Sequence, residues 1–346
     1  MSDKWIGYSH ICLTDPRFGF TEYKDGKWSL IDNGEPLKKH LSAIANAGAN
    51  GLRLIPYSVW QEHEGKRSQF CPWVFDESTQ KWDLSQFNDY YWPIMRKVVE
   101  IANACRLSVW FAWIDHCQFQ KGWWNAYSPW IWNIQKIASA YDDKAGVFVQ
   151  AFMRRSIDEF KGQAVYWHLG NEVMDARMPD FAYKYMFPVI KAKAISLDRI
   201  GAGGGRKLHD YFGNGKYADK PNTIQDITRK RFGAFFGEDK KKLMVREVHG
   251  VGDYVDDYRK FGDDIAEAVW LWAKDHQPEH VVLGDWFADT DGQKKGDSKC
   301  DKDTDGARPS ADTMYRMAVY LWKTAGIDNA HIFHCPQTTD VDCLVE

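Results

Sequence analysis

Five short stretches of this chain end in, or carry near their ends, side chains able to hold or move a proton. Arg53 lies in the apolar run 50–56, Asp115 and His116 follow 107–114, and Asn171 and Glu172 follow 164–170. Glu247 and His249 fall within 243–249, and Asp285 closes 280–285. Two carboxylates facing each other across a cleft can break a glycosidic bond. One, protonated near neutrality, donates to the leaving oxygen while the other stays ionised beside the anomeric carbon. An arginine beside a carboxylate keeps it charged, which is the role open to Arg53, while Asn171 and the histidines can hydrogen-bond hydroxyls. Each residue alone has an ordinary explanation, as a cap, a core histidine or a buried ion pair. Their recurrence at the ends of successive apolar runs favours a joint site.

The elements that would position them alternate along the sequence. Apolar runs rich in β-branched and aromatic residues occur at 5–10, 50–56, 107–114, 164–170, 198–203, 243–249, 280–285 and 330–334. Between them, amphipathic patterns predict helices over 35–47, 87–105, 134–160, 180–195, 222–236, 257–275 and 310–325. Eight strands alternating with helices predict an α/β fold, a (β/α)8 TIM barrel, whose active site lies at the C-terminal ends of its strands. No repeat, low-complexity linker or composition break interrupts the 346 residues, so residues 1–346 are expected to form one catalytic barrel with long βα loops.

Composition narrows the partner. The 45 Lys and Arg nearly cancel the 48 Asp and Glu. Without a concentrated basic footprint, neither nucleic acid nor an anionic membrane surface is expected to bind. No apolar run reaches the ~18 residues that a membrane span needs. Seven cysteines at irregular spacing make neither a disulfide framework nor a metal set, and leave at most a Cys335–Cys343 pair. Aromatic residues make up 15% of the chain, with 17 Trp among them; most of these rings can fill a large core, yet a core needs bulk and not indoles specifically. A flat, hydroxylated ligand gains from such rigid apolar faces.

The patterns GLRLIPYSVW, WDLSQFNDYYWPIMRKVVEIANACRLSVWFAWIDH and VYWHLGNEV resemble the barrel of clan A glycoside hydrolases, in particular the family 5 endoglucanases and mannanases, from about residue 40 to 290. The resemblance implies a polysaccharide or oligosaccharide substrate and endo-acting hydrolysis of a β-linked glucan or mannan. It also implies site roles for Arg53, His116, Asn171 and His249, with Glu172 as acid/base. The Asn-Glu pair after an aromatic-aliphatic strand is its most specific element. The seventh strand departs from the family, reading VVLGDWF and placing Asp285 where the family has its nucleophilic Glu. Asp is shorter by one carbon–carbon bond, about 1.5 Å. On an unchanged backbone, a retaining separation of about 5–5.5 Å would widen toward ~7 Å, where a water fits. Asp285 is then a nucleophile brought closer by the backbone, a base activating water, or a relic in a non-catalytic carbohydrate-binding barrel. Glu247, sharing a strand face with His249, is the competing second carboxylate.

Three further features bear on a site. Trp123 and Trp124, after Lys121-Gly122, read as loop residues that either stack on sugar rings or fold back over the barrel mouth; Trp60, Trp73 and Trp286 are weaker cases. Trp110, inside a strand, is expected in the core. The segment DKDTDGARPSAD, 301–312, has the ligand spacing of a calcium loop. There Asp301, Asp303, Asp305 and Asp312 would offer carboxylates and Ala307 its carbonyl to a structural Ca2+. Pro309 and the Asp at the twelfth position depart from that pattern, and a solvated acidic loop is the other explanation. No organic cofactor is expected, and the protein is expected to be a monomer. A polysaccharide substrate and calcium favour an extracellular setting, but MSDKWIGYSH shows no leader pattern, so localisation stays open.

Overall fold

The computed structural model describes residues 7–10, 20–25, 27–46, 51–54, 57, 70–115, 128–170, 177–196, 199–201, 245–248 and 280–283. Five parallel strands form its central sheet: β1 (Gly7–His10), β4 (Gly51–Leu54), β7 (Ser108–Ala112), β8 (Val165–His168) and β9 (Ile200–Gly201), side by side in chain order. Two more, β10 (Val245–Val248) and β11 (His280–Leu283), pair in parallel. Residues of β1 and β11 approach within 8 Å at Cα. Seven of the eight expected strands are thus present where the apolar runs placed them, and the eighth, at 330–334, lies outside the described residues.

Helices cross over between these strands, as parallel neighbours require. α1 (Glu35–Asn46) joins β1 to β4, α2 (Tyr91–Ala104) joins β4 to β7, and α3 (Gly146–Glu159) joins β7 to β8. Between β8 and β9, α4 (Met178–Phe181) runs through a π turn (Ala182–Met186) into α5 (Phe187–Ala192). Gly34, with φ of 92°, turns the chain into α1, a left-handed conformation that a residue with a Cβ adopts only with strain.

Strand side chains alternate between two faces, and burial shows which face meets the helices. Leu52, Leu54, Val109, Phe111, Val165, Trp167 and Ile200 belong to the apolar core with Met95, Val98 and Val99 of α2 and Val149, Phe152 and Met153 of α3. Phe111 touches Phe152 and Phe160 at ring-centre distances of 6.0 and 5.2 Å, and Trp167 stacks against Trp113 at 5.0 Å. The intervening residues Arg53, Trp110, Tyr166 and His168 occupy the opposite, inner face.

Several expected elements are corrected. The helix over 134–160 starts only at Gly146, after a 3-10 turn over Asp143–Ala145. The Asn133 side chain accepts from the Ile137 amide at 2.8 Å and donates to the Pro129 and Ile137 carbonyls, which satisfies the backbone locally. Such bonds compete with a helix, and Lys136 adopts a positive φ of 59°. The helix over 87–105 begins at Tyr91 because Phe87 ends a strand and the Asn88 carboxamide accepts from the Tyr90 amide. Two antiparallel hairpins complete the described residues: β2 (Thr21–Lys24) with β3 (Lys27–Leu30), and β5 (Trp73–Asp76) with β6 (Lys81–Phe87). In the second, Asp76 accepts from the Ser78 amide and from the hydroxyls of Ser78 and Thr79, closing the turn.

Candidate active site

Of the residues expected to do chemistry, Arg53 and Asp115 are the ones whose side chains are described. Arg53 sits on β4 in register with Ser9 of β1 and Trp110 of β7, and Trp110 is in register with Tyr166 of β8. Its neighbours Leu52 and Leu54 face the helices, so period-2 alternation turns the guanidinium to the inner face, where only 2% of the residue is exposed. Trp110 and Tyr166 stack beside it with ring centres 5.3 Å apart and planes 16° apart. The Arg199 guanidinium lies over the Tyr166 ring at 5.8 Å. Trp110 is buried, as expected.

One step further along the strands, His168 occupies the same inner face, with Ala112 on one side and Gly201 on the other in register. It meets the Trp110 ring edge-on at 6.1 Å. Burial, reinforced by the positive charge of Arg53, lowers its pKa from 6.5 to about 3, so the imidazole is neutral. The sequence pattern passed over this residue, although a histidine between Trp167 and Leu169 in a strand alternating toward the interior was the available signal.

His40 of α1, buried beside Phe20 at 5.0 Å, is likewise held near 3 by burial. Both histidines have native pKa values depressed below the ~6.5 of the unfolded chain. The unfolded state therefore binds more protons between pH 6.5 and 3, and their contribution to stability is complete above pH 6.5 and lost as the pH falls toward 3. Melting temperature is expected to drop between pH 7 and pH 4, and less steeply in a His40→Leu variant. An identical slope in that variant would count against a buried neutral His40.

Asp115, just beyond β7, is buried near Tyr57. The Tyr57 hydroxyl accepts from the Trp130 indole at 2.5 Å, and its pKa is raised mainly by burial, with added opposition from Cys71 and Asp115. Tyr57, Trp73, Trp130 and Phe152 form one aromatic cluster on the helix side. Trp73 is therefore corrected: fully buried, it is a core residue and not a sugar platform. Trp113 and Trp130 are core residues too, whereas Trp132 is 39% exposed, its indole donating to the Gln80 carbonyl at 2.6 Å.

The other expected site residues lie outside the described residues: His116, Asn171, Glu172, His249, Asp285, Trp60, Trp123, Trp124, Trp286, and the calcium-loop residues Asp301, Asp303, Asp305, Ala307 and Asp312. Glu247 lies in β10, where the strand but not the side chain is described. Asn171 and Glu172 follow the last described residue of the β8 segment, Gly170. Among the described residues, no group of three or more His, Cys, Asp or Glu could hold a metal ion, and no helix is long and apolar enough to cross a membrane.

No family model matches the sequence, and no curated protein matches it. Solved structures do. An endo-β-1,4-mannanase from Thermotoga petrophila superimposes with a TM-score of 0.56 at 12% identity, covering 100% of this chain and 76% of that one. A glycoside hydrolase family 5 mannosidase from Rhizomucor miehei gives 0.54 at 12%, covering 96% and 81%. An endo-β-1,4-glucanase from Xanthomonas axonopodis pv. citri gives 0.50 at 11%, covering 96% and 88%. The likeness is one of fold. It spans nearly the whole chain, so the parallel sheet with its crossover helices is the framework these enzymes share with it.

Proposed function

We propose that this protein is a glycoside hydrolase, endo-acting on a β-linked glucan or mannan, built as one closed (β/α)8 barrel. The single observation that carries this reading is the buried Arg53 on the inner sheet face of a chain whose fold is that of mannan- and glucan-cleaving enzymes. A guanidinium taken out of water needs acceptors around it. Carboxylates converging on the same interior would provide them, and its charge would keep one of them ionised. The approach of β1 and β11 supports a sheet that curls back toward its first strand.

In the proposed chemistry Glu172, of the same sequence parity as Tyr166 and His168, is the acid that protonates the leaving oxygen. Asp285 is the second carboxylate, with Glu247 as its competitor, and Asn171, His116 and His249 bind hydroxyls around the cleaved bond. Trp123, Trp124 and Trp286 provide apolar faces to pyranose rings. The test is a panel of β-glucan, β-mannan and xylan, with products separated by size. Internal cleavage of a glucan or mannan supports the proposal. Cleavage of none of them, with one of them bound, favours the non-catalytic carbohydrate-binding barrel, for which the Asp at position 285 is the motivating feature.

For the loop 301–312 we propose a structural Ca2+ held by Asp301, Asp303, Asp305, Asp312 and the Ala307 carbonyl, on the ligand spacing alone. Calcium is expected to raise the melting temperature, and Asp303→Ala to abolish the rise. A melting temperature that neither calcium nor chelator moves would dispose of it.

A further inference from the structure

We propose that His168 is a positioning residue of this site, its imidazole binding a hydroxyl group on the inner face of the sheet; this rests on the glycoside-hydrolase reading above. His168 is 2% exposed, and neither ring nitrogen has a hydrogen-bond partner among the described residues. Buried polar atoms in folded proteins are paired as a rule, and those left unpaired are unfavourable. For packing alone, a leucine in this place would serve better. Its two in-register neighbours, Ala112 and Gly201, are the residue types with the smallest side chains. Trp110 meets the ring edge-on and fixes its plane.

A neutral imidazole offers one donor and one acceptor. The group that satisfies both at once is a hydroxyl, which donates and accepts. A carboxylate would engage only the donor, and a second cation is disfavoured beside Arg53. The hydroxyl belongs either to the sugar substrate or to an internal group next to the strand ends, and kinetics separate the two.

His168→Leu and His168→Gln in the full chain test this, with melting temperature, kcat and KM measured on whichever glucan or mannan the wild type cleaves. The Leu variant is expected to melt at or above the wild-type temperature, yet to lose about tenfold or more in kcat/KM, within what small misplacements of reacting groups cost. The Gln variant, which also carries a donor and an acceptor, is expected to recover part of the loss. A loss in KM assigns the hydroxyl to the substrate, and a loss in kcat alone assigns it to an internal group. Should the Leu variant fail to fold, His168→Met replaces it on the same terms. Wild-type kinetics in the apolar variant, or a Gln variant no better than the apolar one, overturn the assignment while leaving the glycosidase reading intact. A wild type that cleaves nothing overturns both.

Discussion

Replacing Glu172 by Gln is expected to cut hydrolysis by about 10²–10⁴-fold, the contribution typical of a positioned general acid. The amide keeps the shape of the side chain but cannot give up a proton to the leaving oxygen. Substrate affinity should change little, because the same hydroxyl contacts remain. Measured on a polysaccharide and on an aryl glycoside, the loss should be smaller for the aryl substrate, whose leaving group needs no proton. Asp285→Asn and Glu247→Gln then identify the second carboxylate: the one whose loss is as severe on the aryl substrate as on the polymer carries the role at the anomeric carbon. A Glu172→Gln variant with near wild-type turnover would remove this residue from the chemistry.

Trp73→Ala carries the second large effect, on stability. The ring is fully buried and in contact with Tyr57, Trp130 and Phe152 at ring-centre distances of 5.3, 4.8 and 5.2 Å. Truncation opens a cavity inside an aromatic cluster that has little freedom to collapse, and costs of about 3–5 kcal/mol are typical of such changes. A chemical-denaturation midpoint measured at neutral pH should fall accordingly, and the folded fraction should retain its KM. A raised KM with unchanged stability would return Trp73 to the substrate cleft.

The parallel strands were legible because a parallel strand covered by helices must be apolar on the face that meets them. Runs such as LSVWFAWI and VYWHLG announce that directly. The hairpins were less legible for a physical reason: antiparallel strands half open to water, such as Lys81–Phe87, alternate polar and apolar residues and imitate the flank of an amphipathic helix. The Asp-Gly dipeptide at 25–26 in the sequence was a usable hairpin signal that the wider alternation obscured. Residues 134–142 matched a helical spacing, but Asn133 bonds to the local backbone and holds that stretch out of a helix. Much of the tryptophan excess is core. Trp73, Trp82, Trp92, Trp110, Trp113 and Trp130 are all buried. An indole fills the space between sheet and helices as readily as it stacks on a sugar, and composition does not distinguish the two.

Within the site, Arg53 was legible because a lone cation between Leu52 and Leu54 can only face away from the helices. His168 was not, since histidine is at home both in cores and in clefts, and its significance comes from what surrounds it: two small neighbours, an edge-on indole and a nearby guanidinium. These are properties of register between strands far apart in the chain, which a single run of residues does not display.

The most direct measurement is the release of new reducing ends by the purified wild-type protein from β-mannan and β-glucan, with polysaccharide binding followed in the same samples. Release from at least one of them, lost in Glu172→Gln while binding persists, is the expected result. Binding without any release, by a wild type that is fully folded, would contradict the account and leave a carbohydrate-binding barrel in its place.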